Sequence, residues 1–253
     1  KGIPSKISIK KEAGLSSAGT QTPSDVKTSG ILDKLSLKRK TSSPTRTKFK
    51  ESFAMDYNDF INNKKTFLSK LAELKKIVKG NTDNFIQKTR EVSEAFGSGY
   101  FFREKETPSI LKKLKRREKS PSGNTLGQID DLLGSTVIVP EKLIKNKSVE
   151  LAITKKYGEN VITNVDDFYN NPTFLGYKAV HVDVEMPNGQ VTELQLNTRD
   201  GIIRKEYAHE RIYDKWREFI EFNGLTTLQQ VYNKVLKDEG SALAKEFMAD
   251  VKL

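Results

Sequence analysis

Apolar and polar positions change their period several times along this chain, and each change marks an element. Over residues 57–78, Phe60, Ile61, Phe67, Leu68, Leu71, Leu74 and Val78 recur at helical spacing, which predicts an amphipathic helix ended by Gly80. Thr82 and Asp83 open a second predicted helix, with Phe85, Ile86, Val92 and Phe96 inward and Gly97 and Gly99 as its stop. Tyr100-Phe101-Phe102 reads as a short strand entering a basic stretch. Thr107-Pro108 reads as a helix start, Thr as N-cap and Pro in the first helical position, with Ile110, Leu111 and Leu114 facing in. After a loop at 120–124, the pattern predicts a short helix over 125–133 and a buried strand at Val137-Ile138-Val139. An amphipathic helix over 141–157 closed by Gly158 follows, then a strand at Val161-Ile162 and a loop over 166–174. Two further strands are expected at about 179–186 and 190–196. From Arg204 onward the period is helical, about 204–222, 226–238 and 241–251, with breaks at Gly224 and Gly240. No internal repeat is visible.

The two late strands set their own register. Val180, Val182 and Val184 share one face of the first, His181 and Asp183 the other; Leu194 and Leu196 oppose Glu193, Gln195 and Asn197 in the second. Opposed cross-strand residues point to the same face. A two-residue Asn-Gly turn would put Glu193 opposite Val184 and mix polar with apolar. A three-residue Pro187-Asn188-Gly189 loop puts Glu193 opposite Asp183 and Gln195 opposite His181, leaving one face valine and leucine and the other a polar row. Pro and Asn suit a type I turn and Gly189 the left-handed bulge position, so the three-residue register is predicted.

Composition divides the chain. Residues 1–48 hold no aromatic residue, and residues 1–50 carry 12 Lys/Arg against 3 Asp/Glu, so most of the net charge of +11 lies there. Such a stretch cannot bury enough apolar surface to offset its ordering entropy. Residues 1–50 are therefore expected to be a disordered basic Ser/Thr/Lys-rich tail or linker, with nucleic-acid contact as its functional reading. Residues 51–253 are expected to form the folded domain. Deleting 1–48 should then leave catalysis intact. The chain opens on Lys1, which reads as a product cut or processed from something longer. With no cysteine, disulfides and thiolate metal sites are excluded. Two histidines, His181 and His209, do not make a zinc site without carboxylates. No run reaches transmembrane length, and a soluble protein without membrane contact is expected.

The polar row is the candidate chemical face. Asp131, just before Gly134 and a buried strand, and Glu193 are two carboxylates that could converge on Mg²⁺, which is commonly held by one or two carboxylates plus substrate phosphates. Arg103, Lys105, Ser109 and Lys113 form a second constellation. Ser109 and Lys113, four apart, share a helix face, and the free N–H groups at that helix start favour an anion. Tyr177, after Gly176, is placed to stack a base. A solvated sheet face, a basic helix face and a core tyrosine are the plain structural alternatives.

In this order the segments resemble the synthetase domain of RelA/SpoT-type alarmone synthetases, over about residues 100–215. Arg103-x-Lys105-x-x-x-Ser109-Ile110-x-x-Lys113-Leu114 is similar to the ATP-binding segment and Asp131-Leu-Leu-Gly134 to the metal motif. Gly176-Tyr177-Lys178-x-x-His181 is similar to the acceptor-base segment and Glu193-Leu-Gln195-Leu-x-Thr198 to the catalytic glutamate strand. The resemblance implies an α+β fold, a mixed sheet of about five strands flanked by helices in a nucleotidyltransferase-like synthetase arrangement. It implies transfer of the β,γ-diphosphate of Mg²⁺-ATP to a ribose 3′-hydroxyl of a guanosine or adenosine nucleotide. By analogy Asp131 and Glu193 are catalytic and hold the metal. Arg103, Lys105, Ser109 and Lys113 bind ATP. Tyr177, Lys178, His181, Gln195 and Asn197 bind the acceptor. The family usually has arginine where Thr136 and Asn197 stand, and a Glu-His order where this chain reads His209-Glu210. No hydrolase or regulatory domain is recognisable, which suggests a small stand-alone or toxin-like enzyme. Its expected site of action is a cytoplasm, reached in the toxin-like case by delivery to a target cell. Transfer to the 3′ end of tRNA is the enzymatic alternative. A non-catalytic nucleotide- or RNA-binding or packaged structural protein is the alternative of another class. The sequence leaves the oligomeric state open.

Overall fold

The structure, a computed structural model, describes residues 42–118, 125–145, 148–173, 176–208, 216, 219–220, 223–225 and 227–251. Most of the expected tail, the loop at 120–124 and His209 lie outside them. Five strands make one mixed sheet: β1 (Tyr100–Glu104), β2 (Leu133–Ile138), β3 (Ile162–Asp167), β4 (Val180–Glu185) and β5 (Val191–Asn197), in the order β1-β2-β5-β4-β3. All neighbours are antiparallel except β2 and β5, which run parallel. This is the α+β arrangement that the sequence implies.

The predicted hairpin register holds. Asp183 opposes Glu193 and His181 opposes Gln195. The turn closes through Gly189 N–H donating to Met186 O at 2.8 Å, with Gly189 at φ +84°. Valine and leucine therefore line one face and pack under the helices, while the polar residues of β4 and β5 line the other.

The long helix α3 (Lys64–Ala95) covers the apolar face with Phe67, Leu71, Leu74, Val78, Phe85 and Val92. It runs straight through Gly80, where the sequence predicted a stop. An interior glycine costs about 1 kcal/mol, but full burial of Phe85 one and a half turns later outweighs it. The break falls earlier instead. Asp56 caps a short α2 (Tyr57–Asn62) in a reciprocal capping box, and Asn63 then caps α3. Ser135, a hydroxyl on the apolar face, is satisfied by Thr89 of α3 at 3.1 Å, which in turn meets the Tyr157 hydroxyl at 3.1 Å.

Other boundaries shift for local reasons. α4 (Thr107–Arg116) starts one residue before expectation, with Glu106 at the N-cap position and no side-chain cap. The expected helix over 125–133 shrinks to a 3₁₀ turn at Leu126–Gln128, because β2 begins at Leu133. Of the helix expected over 141–157, the described residues form α5 (Glu141–Lys145) and α6 (Ser148–Tyr157), and the loop expected from 166 yields Asp166 and Asp167 to β3. α7 (Arg199–Ala208) begins five residues before Arg204. α8 (Leu228–Asp238) and α9 (Ser241–Val251) pack with Trp216 and Ile220 in a second apolar cluster centred on Phe247 and Val231.

Folded structure also reaches back across the expected domain boundary. Ser43 caps α1 (Pro44–Ser52), whose Phe49 is buried, so part of the expected tail is helix. The Ser43 hydroxyl donates to Glu185, and Arg46 donates to Gly189 O at 3.3 Å and pairs with Asp130. Leu126 and Gly127 donate backbone bonds to Met55 O at 2.8 Å and Phe53 O at 2.9 Å. Residues 43–55 thus tie the β4–β5 turn to the loop that leads into β2.

Candidate active site

Pairing across the sheet assembles the polar face row by row. Arg103, Gly134, Glu193 and Asp183 lie opposite one another in turn across β1, β2, β5 and β4. The next row is Phe101, Thr136, Gln195, His181 and Asp166. Gly134 has no side chain to block this face, and the Arg103 side chain lies over it, its Nε 3.8 Å from where a Cβ would stand.

Asp131 lies in the loop leading into β2. Its two oxygens are taken by Lys113 Nζ at 2.6 Å and Lys105 Nζ at 2.9 Å. Lys105 is fixed by its own backbone, whose N–H donates to Leu132 O at 2.8 Å. Lys113 projects from α4, one turn after the exposed Ser109. Burial would push the Asp131 carboxyl up, but the Lys113 and Lys105 charges hold it far below the usual carboxylate range. Burial lowers Lys113 in turn, against the pull of Asp131.

Glu193 sits in a separate network. Its Oε2 lies 3.2 Å from His181 Nδ1, and its Oε1 accepts from Gln195. Burial opposes its ionisation, yet the His181 contact and the Gln195 bond hold its carboxyl below the ordinary value, against the charge of Asp131. The Tyr177 hydroxyl meets His181 Nε2 at 2.7 Å, and Phe168 packs edge-on to His181 at 5.3 Å. Lys205 of α7 donates to Gln195 at 2.8 Å. Asp183 has the opposite character: burial, then Asp130, Glu193 and Asp166, push its carboxyl up to about 7.

The structure therefore brings the predicted residues together in two groups, Lys105–Lys113–Asp131 and Tyr177–His181–Glu193–Gln195, with the Asp131 charge felt at Glu193 and Arg103 on the Glu193 row. Lys178 is exposed beside the second group. Asn197 is different. It is fully buried, both of its amide atoms lack partners, and its Oδ1 occupies the space a side chain at Gly201 would need. Sequence reasoning passed over Lys205, Phe168 and Asp130. Lys205 lay at the start of the helix expected from Arg204, with nothing to single it out among the charged residues there, and Phe168 stood in a segment read as loop.

Among the described residues, no group of three or more Asp, Glu, His or Cys side chains is placed to hold a metal. A Mg²⁺ shared between one or two carboxylates and substrate phosphates needs no such group, and Asp131 and Glu193, both kept ionised, suit it. Among those residues, too, no helix is long and apolar enough to cross a membrane.

Residues 102–218 match the model of the region found in RelA/SpoT proteins. The chain carries a RelA/SpoT-type domain. At family level the activity that goes with this RelA/SpoT-type domain is pyrophosphoryl transfer between nucleotides. The match takes in both groups of residues and begins one residue before Arg103. No curated protein sequence matches the chain. The fold is similar to small alarmone synthetase 2 from Bacillus subtilis, at 20% identity and TM-score 0.42, covering 70% of this chain and 87% of that one. It is similar to small alarmone synthetase 1 of the same organism bound to its product pppGpp, at 18% and 0.41, covering 74% and 97%. It is also similar to the Type VI effector Tas1 in complex with its immunity protein, at 16% and 0.39, covering 69% and 92%. Likenesses at this distance carry nothing of substrate or partner over to this chain.

Proposed function

We propose that the protein is a Mg²⁺-dependent pyrophosphokinase that moves the β,γ-diphosphate of ATP onto the ribose 3′-hydroxyl of a guanosine or adenosine nucleotide. What supports this reading is Asp131, held ionised between Lys105 and Lys113 within charge reach of Glu193. Lys105 and Lys113 bind the donor's phosphates, with Ser109 beside them on the first turn of α4, and Arg103 contacts the nucleoside. Asp131 and Glu193 would hold Mg²⁺, which supplies charge neutralisation on the transferring group. The acceptor 3′-oxygen bonds to the β-phosphorus. The bond from that phosphorus to the oxygen bridging the α-phosphorus breaks, and AMP leaves with the electron pair. The hydroxyl proton passes to Glu193.

The hydrogen bonds around Glu193 suit that role. With Tyr177 donating to His181 Nε2, the Nδ1 proton points at Glu193, so the imidazole orients the carboxylate and leads from it toward Tyr177. Tyr177, through its ring, and Lys178 face the acceptor. Little covalent help is required, since positioning and charge neutralisation do most of the work in phosphoryl transfer.

The test is incubation with γ-³²P-ATP and GDP, GTP, AMP, ADP, ATP or deacylated tRNA in turn, with products resolved by chromatography. Label is expected on a purine nucleotide, and Glu193→Gln should reduce its formation at least ~100-fold. Label on tRNA alone would move the acceptor to a 3′ end. No label anywhere, or equal label with Glu193→Gln, would sink the enzyme reading.

A further inference from the structure

Phe101 takes no part in the transfer chemistry, yet it stands on the same sheet face. It lies opposite Thr136, which lies opposite Gln195, which lies opposite His181, so its ring shares the face of Arg103 and Glu193. It is 40% exposed and belongs to neither apolar cluster. An uncovered aromatic ring on an edge strand is a liability unless something covers it.

We propose that Phe101 is the platform on which the purine base of the diphosphate donor stacks, making it a further donor-binding residue; the inference rests on the pyrophosphokinase reading above. Three features point to a base as the occupant. Arg103, two residues along the same face, lies over Gly134 and supplies a guanidinium beside the ring. On β2 the small Thr136 stands directly opposite the ring, and of its two diagonal neighbours Gly134 carries only the overlying Arg103 side chain and Ile138 adds an apolar edge, so a planar group can lie flat against the ring between them. The cationic pair Lys105 and Lys113 begins four residues further along, about 13 Å at strand spacing, which suits an extended nucleoside with its phosphates on the lysines. A flat, polarizable base fits an aromatic ring next to a guanidinium, and every base has a face to offer.

Phe102 provides an internal control. It is 48% exposed on the same strand but opposes Ser135, and so sits on the other face. The experiment is calorimetric titration of α,β-methylene-ATP and, separately, inorganic tripolyphosphate, with Mg²⁺ present, into the wild-type protein and the variants Phe101→Ala, Phe101→Trp and Phe102→Ala. Phe101→Ala should weaken the nucleotide by about 5- to 100-fold and leave tripolyphosphate unchanged. Phe101→Trp should retain nucleotide affinity, and Phe102→Ala should match wild type in both titrations. Equal losses in Phe101→Ala and Phe102→Ala would overturn the proposal. So would a loss in Phe101→Ala that tripolyphosphate shares, or a wild-type protein that fails to bind the nucleotide. Nucleotide binding that depends on Phe101 without transfer to any acceptor would leave this platform standing and remove only the reaction.

Discussion

Asp183 separates itself from the other carboxylates of the polar face by what surrounds it. Asp131 faces two lysines and Glu193 a histidine, whereas Asp183 faces Asp130, Glu193 and Asp166 and is pushed up to about 7. A carboxyl raised above its unfolded value binds an extra proton in the fold. Its contribution to stability is complete below about pH 4 and is lost as the pH rises through about 7. A rise of that size corresponds to a loss of at most about 4 kcal/mol. Urea unfolding without Mg²⁺ at pH 5 and pH 8 should show the larger part of this loss in the wild type, and Asp183→Asn should remove that part of the pH dependence. An unchanged slope in Asp183→Asn would show that the acid form is not what the fold accepts. Asn197 presents the contrary case at the same scale. It is an amide buried with no partner, at a position the sequence assigned to the acceptor, and only its packing against Gly201 shows that it is sealed.

Among the elements, the β4–β5 hairpin was the most legible in advance, and the reason is arithmetic. Strand side chains alternate with a period of two, so one register alone sorts Val180, Val182, Val184, Leu194 and Leu196 from His181, Asp183, Glu193 and Gln195. Gly189 closes that turn at φ +84°, and a Cβ there would lie 2.5 Å from Thr45 O. Gly189→Ala should therefore cost about 2–3 kcal/mol in denaturant unfolding, from backbone strain with a contact no rotamer relieves. A loss under about 0.5 kcal/mol, well below what that strain costs, would mean that the turn and α1 do not meet. Helix boundaries were less legible. Gly80 looked like a stop because local propensity favours one, but the burial of Phe85 is a tertiary fact that no window around Gly80 contains. The groups of the site were legible where they sit in short motifs, as with Lys105, Lys113 and Asp131. Lys205 and Phe168 join only through folding, one from the start of an expected helix and the other from a segment read as loop.

At the scale of the whole molecule, the domain begins earlier than composition suggests. Charge and the lack of aromatic residues placed a boundary at residue 50, but Ser43 and Arg46 belong to the fold through Glu185, Gly189 and Asp130. Arg46 is buried while Asp130 is partly exposed, so losing the pair leaves a carboxylate that water can reach. Arg46→Ala should accordingly cost about 1–2 kcal/mol rather than the larger penalty of a stranded buried charge. Two truncations separate the tail from the strap. Removing residues 1–41 should leave pyrophosphate transfer unchanged. Removing residues 1–48 should lower the thermal midpoint by several degrees and transfer several-fold, because it takes away Ser43 and Arg46 and frees the loop before Asp131. Equal behaviour of the two would show that α1 is dispensable.

The parallel pairing of β2 with β5 has a consequence in time as well as in space. β1 and β2 lie close in sequence, and β3, β4 and β5 form a run of antiparallel neighbours, so each set can form from contacts near in the chain. The parallel seam alone must bring together residues about as far apart as Gly134 and Glu193, and such pairings close slowly. Asp131 stands just before one side of that seam and Glu193 on the other. A newly made chain would hold most of its secondary structure before these two carboxylates first came near each other, and so would acquire its chemistry last.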